Sequence, residues 1–233
     1  MSISTNLQQV SQALAGFAQE AGRNPQDIVL LAVSKTFGAD AVIAAAQAGQ
    51  RAFGENYVQE AIDKIAAVRQ AAPGLALEWH FIGPLQSNKT KPVAEHFDWV
   101  HALDREKIAQ RLSDQRPSDL PPLNICLQVN VSGEASKSGV APADLPALAQ
   151  AVVALPNLRL RGLMAIPEPA ATLAAQREPF AQLRKLQEQL RAEGIETDTL
   201  SMGMSADMQA AILEGASIVR IGTAIFGKRE YAN

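Results

Sequence analysis

The chain has 233 residues, of which 47% are hydrophobic and 19% are charged, and its net charge is −3. This balance excludes the basic surface that a nucleic acid or an anionic membrane would require. The single cysteine, Cys126, excludes an internal disulfide and lies in an apolar run, where it is interpreted as a packed side chain. Neither a signal peptide nor an apolar run long enough to span a bilayer is visible, so a cytoplasmic protein is expected.

Apolar residues at steps of three and four predict an amphipathic helix at the start of the chain, with its stripe at Leu7, Val10, Leu14 and Phe17. Gly22 and Pro25 are expected to end this helix. A strand follows, and this alternation of a helical pattern with a strand pattern repeats along the chain. Eight strands are predicted, at 28–33, 51–53, 77–82, 98–103, 123–131, 158–166, 198–202 and 217–221.

Helical stripes fill the intervals between these strands. Pro179 is expected in the first turn of the helix that carries Phe180, and Ser205 is expected to cap the helix after the seventh strand. Strands that alternate with helices indicate a parallel sheet, and eight units in a chain of this length favour a closed barrel. The predicted fold is α/β, a single (β/α)8 TIM-type barrel preceded by an N-terminal helix. No linker or charge run divides residues 1–233, so one domain is expected.

Lys35 is the strongest candidate for a reactive side chain, because it comes two residues after the apolar strand 28–33. In such barrels the C-terminal ends of the strands and the loops that follow them form the site. Desolvation at this place would lower the pKa of the amine and allow a Schiff base to form. The alternative is an ordinary lysine that extends to solvent at the end of a strand.

The ends of strands seven and eight predict a phosphate site. Residues 201–205 read Ser-Met-Gly-Met-Ser and lead towards a helix, and Gly222-Thr223 offers a second set of amides. Barrels of this type commonly bind a phosphate between these two loops. The alternatives are that Gly203 only shapes a turn and that Ser205 only caps a helix. Arg220 lies in the apolar eighth strand, so it must face the mouth of the barrel or pair with an acid such as Glu55 or Asp207.

Other polar residues carry less information. Asn56 and His80 are further candidates for the pocket wall, although a lone histidine is more often structural. His96 and His101 have no partners at metal-ligand spacing, so no metal site is predicted. The segment 132–139 is rich in glycine and serine, which suggests either a lid over the mouth or a solvated loop.

Several long blocks of this sequence strongly resemble the pyridoxal phosphate homeostasis protein family, whose members share the barrel of alanine racemase. The blocks are Ala-Val-Ser-Lys-Thr at 32–36, Phe-Gly-Glu-Asn-Tyr at 53–57, 79–89, Ser-Lys-Ser-Gly at 136–139, 162–167, 200–205 and 219–223. By this resemblance Lys35 carries pyridoxal 5′-phosphate as an internal aldimine and Arg220 faces the pyridine nitrogen. The remaining implied contacts are Ser201, Ser205, Gly222 and Thr223 at the phosphate, and Asn56 and Met202 near the ring. The chain departs from the family at Phe37-Gly38, where a basic or polar residue and a proline are usual, and at Ala206, where aspartate is common.

The resemblance implies a protein that holds the coenzyme for intracellular homeostasis without enzymatic turnover, in transient contact with apoenzymes and as a monomer. An arginine at the pyridine nitrogen only donates hydrogen bonds, so that nitrogen stays unprotonated and the ring is a weak electron sink. The chain also lacks residues for the second β-domain of alanine racemases. One alternative is a small racemase that uses Lys35 with Tyr57 or His80 as the opposing acid–base group. Another is a barrel enzyme in which Lys35 forms a Schiff base with a phosphorylated substrate.

Overall fold

Eight parallel strands form a closed barrel in the computed structural model, which describes residues 2–133 and 138–227. The strands are β1 (Val29–Val33), β2 (Ala52–Glu55), β3 (Glu78–Phe81), β4 (Trp99–Leu103), β5 (Leu123–Gln128), β6 (Leu158–Met164), β7 (Thr199–Ser201) and β8 (Ile218–Ile221). Each strand pairs with the next one along the chain, and β8 returns to pair with β1. The predicted barrel is confirmed, and each predicted strand overlaps an observed one.

Helices connect the strands on the outside of the barrel. They are α1 (Ile3–Glu20), α2 (Ala39–Gln47), α3 (Val58–Ala71), α4 (Thr90–His96), α5 (Glu106–Gln115), α6 (Leu145–Val153), α7 (Leu173–Ala192), α8 (Met208–Leu213) and α9 (Thr223–Phe226). The opening helix α1 is capped by Ser2, whose hydroxyl accepts a hydrogen bond from the amide of Thr5 at 3.2 Å. Asn6 donates to the carbonyl of Ile225 at 2.8 Å, which ties α1 to the last helix.

The side chains of each strand alternate between two apolar layers. The inner layer fills the barrel and contains Leu31, Val33, Ala52, Ile82, Trp99, Ala102, Cys126, Met164 and Ile218. The outer layer is larger and packs the strands against the helices. Cys126 is fully buried, and this burial raises the pKa of its thiol to about 12. Its predicted role as a packed side chain is confirmed.

The expected position of Pro179 in a first helical turn is wrong. Helix α7 begins at Leu173, where Thr172 accepts a hydrogen bond from the amide of Ala175, so Pro179 lies inside the helix. A proline there removes one backbone hydrogen bond and costs about 3 kcal/mol in a helix interior. The cap at Thr172 and the buried face that includes Phe180 and Leu183 stabilise the longer helix.

The expected cap at Ser205 is also wrong. Helix α8 begins only at Met208, and the side chain of Asp207 accepts a hydrogen bond from the amide of Met204 at 2.6 Å. This bond closes a turn before the helix starts. Ser205 therefore lies exposed in the turn rather than at the helix N-terminus.

We expect Gly162→Ala to destabilise the barrel, because a Cβ at Gly162 would collide with the carbonyl group of Thr199 on the neighbouring strand. Overpacking of this kind should lower the free energy of unfolding by at least about 2 kcal/mol, measured in urea. The control is Gly16→Ala on α1, where no atom lies within 4 Å of the added methyl group. Equal stability of the two variants would contradict the strand spacing described above.

Candidate functional site

A cavity of about 340 Å³ opens at the C-terminal end of the barrel. Its wall comes from the ends of six strands and the loops that follow them, with Val33, Lys35, Asn56, Ile82, Ile166, Met204, Ser205, Ala206, Arg220, Gly222 and Thr223 as lining residues. The loops after β1 and β8 therefore meet at one mouth, as the sequence predicts.

A larger depression of about 550 Å³ lies at the opposite end, between the starts of β6 and β7. Arg161 lies in the wall of this depression, and its guanidinium group pairs with Asp198 at 2.8 Å and stacks on the ring of Trp99. We place the functional site at the smaller cavity, because the polar groups that line it converge on one space and the C-terminal face is where such barrels bind ligands.

Strand alternation decides which way Lys35 points. Leu31 and Val33 belong to the inner layer, so the same alternation continued past β1 brings Lys35 to the cavity and turns Ser34 to the outside. Lys35 is half-buried. The predicted position of this lysine at the mouth of the barrel agrees with the structure.

Asn56 lies directly after β2 and presents its amide to the same cavity. Its Oδ1 is buried, and no group in the described part of the chain hydrogen-bonds to it. Gly83 packs against the backbone of Asn56 so closely that a Cβ at position 83 would clash with that backbone. The backbone of Asn56 is thus held in place, and its side-chain oxygen keeps an unused hydrogen-bonding position beside the cavity.

Arg220 is buried at the base of the cavity on β8. One guanidinium nitrogen donates to the hydroxyl of Ser201 at 2.8 Å and another donates to the carbonyl of Ala165 at 2.9 Å. No described carboxylate forms an ion pair with it: Glu55 lies behind the barrel wall and is paired with Lys64, and Asp207 acts on Arg220 only through its charge, which raises the pKa of the guanidinium group. The alternatives of an ion pair with Glu55 or with Asp207 are therefore wrong. Burial lowers the pKa of Arg220 to about 10, which leaves it a cation near neutral pH.

A column of polar side chains runs through the barrel beneath Arg220. Nδ1 of His101 lies 2.8 Å from the hydroxyl of Ser201, and Nε2 of His101 lies 2.9 Å from Nδ1 of His80. Burial lowers the pKa of His101 well below its usual value, so this ring is neutral. With the Arg220 hydrogen bond accepted by Ser201, a consistent arrangement has the Ser201 hydroxyl donating to His101 and His101 donating to His80.

The column ends near the other face of the barrel. Nε2 of His80 lies 2.7 Å from Oε1 of Glu78, and this contact with His80 lowers the pKa of the Glu78 carboxyl. His80 is buried inside the barrel and does not line the cavity. No local pattern indicates the pairing of His80 with His101, because the two histidines lie on different strands.

The predicted phosphate contacts do not all reach the cavity. Ser205, Gly222 and Thr223 line it. Ser201 faces inward but is covered by Arg220, to which it is bonded. Met202 is the next residue along the chain, so it points outward into the layer between strands and helices.

Part of the predicted lid lies outside the described residues, since positions 134–137 are among those that the structure does not describe. Among residues 2–133 and 138–227, each helix is too short or too polar to span a bilayer. Within the same ranges, no three histidine, cysteine or acidic residues gather as metal ligands do.

A family model described as the alanine racemase N-terminal domain matches residues 5–230 of this chain. The pyridoxal phosphate homeostasis protein of Pseudomonas aeruginosa is 63% identical over 229 residues, which cover 98% of this chain and 96% of that protein. The protein of the same name from Escherichia coli (strain K12) is 55% identical over 230 residues, which cover 99% and 98%. This chain belongs to the pyridoxal phosphate homeostasis protein family.

Solved structures place this family beside larger enzymes with the same barrel. The structure of PipY from Synechococcus elongatus, with pyridoxal phosphate bound, is 38% identical with a TM-score of 0.81, and the match covers 97% of this chain and 100% of that chain. Alanine racemase from Corynebacterium glutamicum is 18% identical with a TM-score of 0.68, and the match covers 99% of this chain but 62% of the racemase. At that identity the likeness to the racemase shows a shared fold.

We expect Ser201→Ala to destabilise the protein, because it removes the hydroxyl that bonds both Arg220 and His101 in the barrel interior. Leaving two buried polar groups unpaired should cost about 1–3 kcal/mol of unfolding free energy, measured in urea. The matched control is the exposed Ser205→Ala in the following loop, which should change stability by less than about 0.5 kcal/mol. If both variants unfold at the same urea concentration as the parent protein, the polar column does not support the barrel.

Proposed function

We propose that this protein binds pyridoxal 5′-phosphate in the cavity at the mouth of its barrel, through a Schiff base with Lys35. The observation that carries the proposal is that Lys35 and the loop residues Ser205 and Gly222-Thr223 line one cavity. Its volume of about 340 Å³ lies within the range of about 300–1,000 Å³ that is usual for small-molecule sites. The pyridoxal phosphate in the PipY structure supports the same assignment.

The residues present fit this coenzyme. Ser205 and Thr223 supply hydroxyl groups for the phosphate, Gly222 allows β8 to approach Val33 closely, and the first amides of α9 have no partners within that short helix. Asn56 supplies an amide whose buried oxygen has an unused hydrogen-bonding position. Arg220 supplies a fixed cation, which we assign to the pyridine nitrogen.

Lys35 would supply the covalent link. Its amine nitrogen forms a C=N bond with the aldehyde carbon, and the aldehyde oxygen leaves as water, so no oxidant or reductant is needed. The bond is reversible by hydrolysis. A site of this kind can therefore take up the coenzyme and release it again.

We propose further that the protein stores or delivers the coenzyme without turnover. The pKa of Arg220, about 10, keeps the guanidinium group protonated at neutral pH, so it only donates hydrogen bonds. A pyridine nitrogen that accepts such a bond stays unprotonated, and the ring is then a weak electron sink for carbanion chemistry. A racemase also needs an acid–base group opposite Lys35. Tyr57 is exposed and does not line the cavity, and His80 is bonded to His101 inside the barrel. Neither candidate is in place for that role.

The proposal also covers the location, the oligomeric state and the partners of the protein. A coenzyme carrier of this type would work in the cytoplasm, as a monomer built on one domain over 1–233, and would meet pyridoxal-phosphate-dependent apoenzymes only transiently. The family name of the curated relatives supports the role in homeostasis.

We expect borohydride reduction of the protein loaded with pyridoxal phosphate to give one phosphopyridoxyl adduct, on the peptide that contains Lys35. Lys35→Ala should abolish the adduct, whereas Lys91→Ala on the surface of α4 should not. Mass mapping of the digested protein measures this. An adduct that persists in Lys35→Ala would refute the assignment, and steady conversion of an amino acid by the loaded protein would refute the role without turnover.

We expect Ser205→Ala to weaken binding of pyridoxal phosphate by about tenfold or more, because a hydrogen bond to a charged group contributes about 1.5–3 kcal/mol. Binding of pyridoxal, which has no phosphate, should change by less than about twofold. Titration followed by the absorbance of the bound coenzyme measures both. Equal losses for the two ligands would remove Ser205 from the phosphate site.

A further inference from the structure

The two peptide groups on either side of Lys35 are both held by side chains of helix α3. The carbonyl of Ser34, which belongs to the first peptide group, accepts a hydrogen bond from Nζ of Lys64 at 2.8 Å. The amide of Thr36, which belongs to the second, donates to Oε1 of Glu60 at 2.6 Å. The orientation of these two groups sets the backbone dihedral angles of Lys35 and therefore the direction of its side chain.

Lys64 and Glu60 are themselves joined and lie one turn apart on α3. Their charged atoms are 3.0 Å apart, and Nζ of Lys64 also pairs with Glu55 at 2.7 Å. The hydroxyl of Ser34 donates to the same carboxyl oxygen of Glu55 at 2.6 Å. The side chain of Lys64 is 3% exposed and that of Glu55 is 0% exposed. Burying charges is costly unless they are paired and hydrogen-bonded. Lys64 and Oε1 of Glu55 meet this condition, whereas Oε2 of Glu55 is buried without a hydrogen-bond partner among the described residues.

Thr36 shows that the backbone at this place is constrained. Its φ is 69°, the only positive value among the described residues other than glycine. A β-branched residue in this region costs about 1–3 kcal/mol and stays there only when its surroundings fix it. The short bond from its amide to Glu60 is such a constraint.

None of the three charged residues touches the cavity. Phe53 packs in the outer layer, so alternation along β2 turns Glu55 to the same outer side, where α3 covers it. Lys64 and Glu60 are absent from the cavity wall. Their effect on a ligand must therefore act through the backbone of residues 34–36.

We infer that Lys64 and Glu60 are positioning residues that fix the backbone around Lys35 and aim its amine into the cavity. The inference rests on the proposed role of Lys35 in holding the coenzyme. It predicts that the covalent step depends on α3, while the pocket that receives the phosphate does not.

Lys64→Met tests this with two measurements on the full-length protein. The first is the rate of covalent uptake of pyridoxal phosphate, followed by absorbance and confirmed by borohydride trapping at Lys35. The second is the affinity for pyridoxine 5′-phosphate, which has the phosphate but no aldehyde. We expect covalent uptake to slow by about tenfold or more, since small misplacements of a reacting group cost up to about a hundredfold. Affinity for pyridoxine 5′-phosphate should stay within about twofold of the parent protein.

The matched control is Lys91→Met, which breaks an exposed pair of the same spacing, Lys91 and Glu95 on α4. It should change neither measurement. If Lys64→Met does not fold, Glu60→Ala replaces it, because the Glu60 side chain is 33% exposed and its loss is easier to accommodate. Glu60→Gln keeps an acceptor for the Thr36 amide and should recover most of the uptake rate that Glu60→Ala loses.

The outcomes separate the two proposals. If the parent protein gives no trapped adduct at Lys35, the proposed function fails. If the parent protein gives the adduct and the α3 variants form it at the parent rate, the proposed function stands and the positioning role is overturned. Parallel losses of uptake and of pyridoxine 5′-phosphate affinity also overturn it, because they would indicate a general disturbance of the pocket.

Discussion

Hydrogen bonding between β8 and β1 closes the barrel and sets Leu31 opposite Arg220 and Ala32 opposite Ile221. Beyond this register, Gly222 follows Ile221 directly and Lys35 comes three residues after Ala32, and both reach the same mouth. A Cβ at Gly222 would come within 3.2 Å of the Val33 carbonyl, which shows how closely the two strand ends approach. The covalent group and the phosphate cradle proposed here thus depend on one strand pairing between the two ends of the chain.

The alternation of side chains across the barrel wall separates two kinds of polar group. Lys35, Asn56 and Arg220 face the cavity, where a ligand can meet them. Glu55 and Lys64 face α3, where they are paired with each other and hold the backbone. Burial raises the pKa of Glu55, and Lys64 opposes that rise, so the carboxylate and the ammonium stabilise each other in a place that water does not reach. The barrel wall therefore separates the charged groups that face the cavity from the ion pair that faces α3.

The barrel interior is not purely apolar, and the polar column explains how Arg220 is tolerated there. Each of its links is a hydrogen bond between buried groups, from Arg220 through Ser201 and His101 to His80. The neutral ring of His101 avoids placing further positive charge beside the guanidinium group. A buried cation supported in this way keeps a fixed direction, which suits a contact with a ring nitrogen better than a flexible lysine would.

Local patterns were enough to predict the eight strands, the place of Lys35 after the first of them and the loops that line the cavity, because hydrophobic period and turn residues are local signals. The sequence also carried the resemblance that the comparisons confirm. The predictions for the start of α7 and the cap of α8 were wrong. Thr172 caps α7 several residues before Pro179, and the side chain of Asp207, rather than that of Ser205, bonds the backbone before α8. The folded chain was needed to establish that Ser201 supports Arg220, that Met202 faces outward and that α3 holds the backbone at Lys35. Those facts depend on hydrogen bonds and packing between segments far apart in the chain, which no local pattern encodes.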